Sequence, residues 1–163
     1  MQHERPFLRA ADPEDGPKEA RCFTGKTGAI RGLVREIMHY LELALPDNPE
    51  MRGNAELVLA EALNNIEEHG YAGTSGMPVQ VSVSVLGDVI QVATRDFGTP
   101  MPGLTIPPIH LPETEVPQDA LPEGGFGWFL IHSLAPNPSY TRRGNTNRLF
   151  FRLRCSPATT EAC

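Results

Sequence analysis

The segment Val79-Gln80-Val81-Ser82-Val83-Ser84-Val85 alternates valine with a polar residue. It is followed by Gly87-Asp88 and by the second apolar run Val89 to Thr94. Period-two alternation puts every valine on one face of a strand, and a glycine-containing two-residue turn between two such runs predicts an antiparallel hairpin. One face of that hairpin is apolar, so something must cover it. The chain supplies the cover: Ile30, Leu33, Val34, Ile37, Met38 and Leu41 recur at helical spacing, and Pro46 to Pro49 stops the run. A second helix is expected from about Glu50 to Glu68, with Leu59, Leu63 and Ile66 inward and Gly70 closing it.

After the hairpin the pattern changes. Between Phe97 and Gly125 stand Pro100, Pro102, Pro107, Pro108, Pro112, Pro117 and Pro122, too many for helix interiors or central strands, so a long loop is expected there. Its place before a glycine cluster suggests a lid. Phe126 to Leu134 then reads as a short helix, and Ser139 to Arg143 with Arg148 to Leu153 as a last strand pair. Strands clustered in this way predict an α+β two-layer sandwich, helices on a mixed, mainly antiparallel sheet. Residues 1–19 are polar and punctuated by Asp12-Pro13 and Gly16-Pro17, which suggests a flexible arm before a domain at 20–154 and a tail at 155–163, with a short first strand near Ala20 to Thr24.

The 163 residues are 40% hydrophobic and 21% charged, an ordinary globular balance for one core. A formal charge of −6 argues against general nucleic-acid affinity, which needs clustered Lys and Arg. No apolar run approaches the roughly 18 residues of a membrane helix, and the start lacks a signal peptide's apolar stretch, so a cytoplasmic protein is expected. Cys22, Cys155 and Cys163 lack metal-ligand spacing and read as reduced thiols.

Three short stretches could carry chemistry. Glu61 and Asn65 stand four apart on one face of the second helix, with Glu68 and His69 near it. An amide oxygen one turn from a carboxylate can hold Mg²⁺ while the carboxylate orients or deprotonates a hydroxyl; the same residues also suit a solvated polar face. In Arg95-Asp96-Phe97-Gly98-Thr99-Pro100 a carboxylate ends a strand and could accept a hydrogen bond from an exocyclic amine such as adenine's, while the glycine would let backbone approach a ligand. An ordinary turn has the same composition. Gly124-Gly125-Phe126-Gly127-Trp128 opens a helix, where free amides can face phosphate, or is simply a hinge. Thr24-Gly25-Lys26-Thr27 looks like the end of a P-loop, but position 20 holds alanine where that motif needs glycine.

Taken in order, these stretches resemble the anti-sigma-factor serine kinases of the GHKL superfamily, whose ATP-binding domain has the Bergerat fold. Glu61, Asn65, His69, Gly70 and Tyr71 are similar to that family's N box, Asp96, Gly98 and Pro100 to its first glycine box, and Gly125 and Gly127 to its second. Gly144-Asn145-Thr146-Asn147-Arg148-Leu149 resembles its closing strand, although some relatives have adjacent threonines there. The resemblance spans roughly 20 to 154. It implies Glu61 as general base for a protein hydroxyl, Asn65 as the Mg²⁺ ligand, and Asp96 as the reader of adenine. It further implies a nucleotide site completed by His69, Gly98, Gly124, Gly125, Phe126, Gly127, Trp128 and Thr146. The implied cofactors are ATP and Mg²⁺. The implied function is phosphorylation of a STAS-type anti-anti-sigma protein and sequestration of a sigma factor or similar regulator, with a homodimer as an option. A non-catalytic binding module of the same fold is the rival reading, and an ATPase fragment of the mismatch-repair or gyrase type a remoter one.

Overall fold

The computed structural model describes residues 19–108 and 126–154. The elements in chain order are β1 (Arg21–Lys26), α1 (Ile30–Ala44), α2 (Pro49–Asn65), a π-helical turn (Ile66–Gly70), β2 (Pro78–Leu86), β3 (Val89–Asp96), a 3₁₀ turn (Pro102–Leu104), α3 (Phe126–Leu134), β4 (Ser139–Arg143) and β5 (Thr146–Arg154). The strands form one five-stranded sheet in the order β1-β2-β3-β5-β4. Every pairing in it is antiparallel, so among the described residues the sheet has no parallel component and is not mixed. The helices pack on one face, giving the α+β two-layer fold.

Period explains which face. In β2, Val79, Val81 and Val83 are buried; in β3, Ile90 and Val92; in β5, Leu149, Phe151 and Leu153. The helical layer answers with Ile30, Leu33, Val34, Ile37 and Leu41 of α1 and Met51, Ala55, Val58, Leu59, Ala62 and Leu63 of α2. Each fully buried Leu, Ile or Phe side chain contributes roughly 1.5–3 kcal/mol relative to exposure. α3 is anchored through Ile131, which is fully buried, and packs against α2.

α2 begins where its cap is good. Asn48 Oδ1 accepts from Met51 N at 3.0 Å, Pro49 occupies the first turn, and Glu50 complements the helix dipole. Its far end differs from the expected α-helix to Glu68. From Ile66 the helix widens, with Tyr71 N donating to Ile66 O at 2.9 Å. The Tyr71 hydroxyl then donates to Pro78 O and accepts from Phe97 N, both at 2.8 Å, tying this turn to the start of β2 and the end of β3.

The Thr24–Thr27 stretch is structural. Gly25 lies in β1, where a Cβ would stand 2.8 Å from Leu33 Cδ2, and Thr27 exchanges hydrogen bonds with Thr74, Gly76 and Met77. A strand paired with β2 and running into a bonded turn is not the strand-to-helix loop that wraps a phosphate. Of the proline-rich stretch, 97–108 is described and holds only the 3₁₀ turn, while the expected lid's remainder at 109–125 lies outside the described residues, as do the arm before 19 and the tail at 155–163.

Candidate nucleotide site

β3 and β5 are in a register that sets Asp96 opposite Asn147 and Thr94 opposite Leu149; β4 sets Arg142 opposite Asn147 and Tyr140 opposite Leu149. Because strand side chains alternate, Asp96, Asn147, Arg142, Thr94, Leu149 and Tyr140 all face the helical layer. Between them and the end of α2 lies a cavity of about 400 Å³, lined among others by Ala62, Asn65, Ile66, His69, Trp128 and the loop residues Met101 and Pro107. Its walls are largely apolar, with a few polar groups converging on it, the usual make-up of a small-molecule site.

Those polar groups are the informative part. Asp96 is 5% exposed, and burial pushes its carboxyl above the ordinary carboxylate range against the opposing pull of Asn147, Gly98 and Arg142. Both of its hydrogen bonds fall on Oδ1, from Gly98 N at 2.9 Å and Asn147 Nδ2 at 2.8 Å. Among the described residues Oδ2 accepts none. The buried Thr94 Oγ1 and Asn65 Nδ2 also lack hydrogen-bond partners, and both residues line the same cavity. Buried polar atoms are nearly always paired, so two unpaired ones beside an open carboxylate oxygen on the same cavity fit a ligand that carries donors and acceptors of its own, as adenine does.

Glu61 lies one helical turn before Asn65, at the edge of the cavity rather than in its lining. α3 begins directly over this pair. A Cβ on Gly127 would stand 2.5 Å from Glu61 Oε2 and 3.8 Å from Asn65 Nδ2, so glycine is what lets this first turn approach the carboxylate. A helix start here places backbone N–H groups where an anion would be favoured. Among the described residues no group of three or more His, Cys, Asp or Glu is placed to hold a metal. A cation beside Asn65 would take most of its ligands from phosphate and water, as Mg²⁺ does.

The expected site residues therefore separate. Asn65, His69, Asp96 and Trp128 line the cavity, and Glu61 and Gly127 meet at its rim. Gly98 has a structural reason of its own. It is buried against the π-helical turn, where a Cβ would be driven into the Gly70 carbonyl, and the next residue's N–H donates to Gly70 O at 2.7 Å. The close approach is to the protein's own backbone. Phe126 is exposed on the first turn of α3 and does not line the cavity. Thr146 is on the opposite face of the sheet, in a concavity with Arg95, Thr141 and Gln80, because it is out of phase by one residue with Asn147. Gly124 and Gly125 lie outside the described residues. Sequence reasoning passed over Thr94, Tyr140, Arg142 and Asn147, although Asn147 shares the phase of Leu149, Phe151 and Leu153, which marks a polar residue at a core position.

Gly98→Ala should destabilise the protein by about 1–3 kcal/mol, the usual range for overpacking, because neither backbone segment can move without breaking the Thr99–Gly70 bond. Thermal or denaturant unfolding of the variant measures this, and a stability equal to wild type would show that the turn yields freely.

The model of the histidine kinase-like ATPase domain family matches residues 23–153. Among solved structures, the histidine kinase AdeS of Acinetobacter baumannii is 14% identical with a TM-score of 0.41, over 82% of this chain and 67% of that one. The catalytic domain of histidine kinase ThkA, in a nucleotide-free form, is 16% identical with a TM-score of 0.42, over 83% of this chain and 95% of that one. No curated protein matches the chain. The family match runs from β1 to β5, and the chain belongs to the histidine kinase-like ATPase domain family.

Proposed function

We propose that this protein is an ATP-dependent serine/threonine protein kinase of the anti-sigma-factor type. The observation that carries the nucleotide part is the cavity at the end of β3, where Asp96 Oδ2, Thr94 Oγ1 and Asn65 Nδ2 are open to a ligand together. In this reading Asp96 Oδ2 accepts from the adenine amine, Thr94 supplies a hydroxyl to the ring edge, and Trp128 and Ile66 supply apolar wall. The amides opening α3 face the phosphates, and His69 lines the cavity. Asn65 would hold Mg²⁺ through its amide oxygen, and the cation when bound would neutralise phosphate charge.

The kinase part rests on Glu61. It lies within one turn of Asn65 and outside the lining of the base cavity, and in this reading a hydroxyl from another protein approaches it there. Glu61 accepts the proton of that hydroxyl while its oxygen bonds to the γ-phosphorus and the bond to the β–γ bridging oxygen breaks, releasing ADP. The acceptor is a serine or threonine of a STAS-type anti-anti-sigma protein. A sigma factor is the second partner, released or held according to that phosphorylation, and the setting is the cytoplasm. No helix among the described residues is long and apolar enough to cross a membrane.

Incubating the full chain with γ-labelled ATP, Mg²⁺ and STAS-domain proteins encoded near it tests the reading. Label on a serine or threonine of one of them is expected. ATP binding with no label on any acceptor would instead favour a nucleotide-dependent binding module.

A further inference from the structure

Asp96 can read an amine only if its carboxyl group is held still, since the terminal torsion of an aspartate is broad and roughly two-fold. The β4–β5 hairpin holds it. Asn147, 4% exposed and directly opposite Asp96, donates through Nδ2 to Asp96 Oδ1 at 2.8 Å and also faces Gly98 O at 3.1 Å and Thr99 O at 3.2 Å. Its own Oδ1 accepts from the Tyr140 hydroxyl at 2.6 Å and from Arg142 Nη1. The amide is thus fixed from both ends. Turning it over would set its oxygen against a carboxylate and two carbonyls and its NH₂ against a guanidinium and a hydroxyl proton. Arg142 Nη1 further donates to Gly98 O at 3.0 Å, and the Tyr140 hydroxyl accepts from Met101 N at 3.1 Å, so the same three side chains secure the loop leaving β3.

We infer that Asn147, backed by Tyr140 and Arg142, is a positioning residue for base selection: it engages Oδ1 of Asp96 so that Oδ2 alone is presented to the cavity. The inference rests on the nucleotide reading above and adds to it the device that sets which base is accepted. An adenine amine donates to the presented oxygen. Hypoxanthine offers a carbonyl at the same place, which meets the carboxylate oxygen with no proton between them, so ADP is favoured over IDP. Freed from Asn147, the carboxyl group turns and shares its capacity among loop amides, and the preference shrinks.

The test measures ADP and IDP affinity by calorimetry on the full chain, in wild type, Asn147→Leu and Tyr140→Phe. Wild type should prefer ADP. In Asn147→Leu the ratio of the two dissociation constants should fall about 10-fold or more, through weaker ADP binding with IDP nearly unaffected, the size expected for losing one charge-assisted hydrogen bond. The acidic limb of ADP affinity should also move to higher pH, because a donor to the charged form has been removed. Asp96 is faced by Asn147, Arg142, Gly98 N and, from just after the π-helical turn, Tyr71, and only the first is changed. Tyr140→Phe, which keeps the amide but removes one of its anchors, should show a smaller loss in the same direction and serves if Asn147→Leu does not fold. An unchanged ADP-to-IDP ratio in the folded variants would overturn the inference while leaving the nucleotide site intact. A wild-type protein that binds ADP and IDP alike, or neither, would overturn the base-reading role of Asp96 and the inference with it.

Discussion

Glu61→Ala should lower phosphotransfer by on the order of 10²–10⁴, the usual contribution of a positioned base, while ADP affinity stays within about threefold of wild type. The separation follows from geometry. Glu61 lies one turn before Asn65 on α2 but does not line the cavity at Asp96, so removing it takes nothing from the base site. Glu61→Gln should lose transfer to a similar extent, since it preserves shape and hydrogen bonding but cannot take the proton. Single-turnover transfer of labelled phosphate, alongside calorimetric titration with ADP, checks both variants. Near-normal transfer in Glu61→Gln would remove this glutamate from the chemistry. Gly127 gives a related check on position: a methyl group there falls 2.5 Å from Glu61 Oε2, so Gly127→Ala must displace either the carboxylate or the first turn of α3.

Much of this arrangement was legible because it obeys a period. Val79, Val81 and Val83 declared the core face of β2, Ile30 to Leu41 the inward stripe of α1, and Asn48-Pro49-Glu50 the start of α2. The positions of Asp96 at the end of β3 and of Glu61 and Asn65 one turn apart on α2 follow from the same periods. What escaped depended on partners distant in sequence. Gly98 is glycine because of Gly70, 28 residues earlier, and no local pattern distinguishes that from a ligand contact. The widened turn at Ile66–Gly70 replaces α-helix because Tyr71 is drawn to Pro78 and Phe97. Thr146 stands beside Asn147 in the segment that resembles the family's closing strand, and a slip of one residue in a strand exchanges the two faces of the sheet. Tyr140 and Arg142 acquire meaning only once the β4–β5 register sets them beside Leu149 and Asn147.

Asp96→Asn should abolish most ADP binding and invert the preference between ADP and IDP. The substitution is isosteric, and an oxygen kept at the Oδ1 position still accepts from Gly98 N and Asn147 Nδ2. The group presented to the cavity becomes an NH₂, which opposes the adenine amine but donates to the hypoxanthine carbonyl. A site whose buried polar group meets the wrong partner loses on the order of 10²-fold or more, and calorimetry with both nucleotides reads it directly. The same substitution isolates the role of charge through pH. Burial raises the Asp96 carboxyl above its ordinary value, so in the free protein it favours folding in the protonated form, and this contribution is lost as pH rises through the folded-state pKa. In the proposed site ADP binding requires the opposite, an ionised acceptor, and should weaken as pH falls through that same value. On acidification the wild-type minus Asp96→Asn difference in melting temperature should therefore rise for the free protein, while the ADP-induced increment in wild type falls. Two limbs of opposite sign at one pH identify a single buried carboxyl serving both; an ADP increment flat through that window would mean that the amine is read by another group.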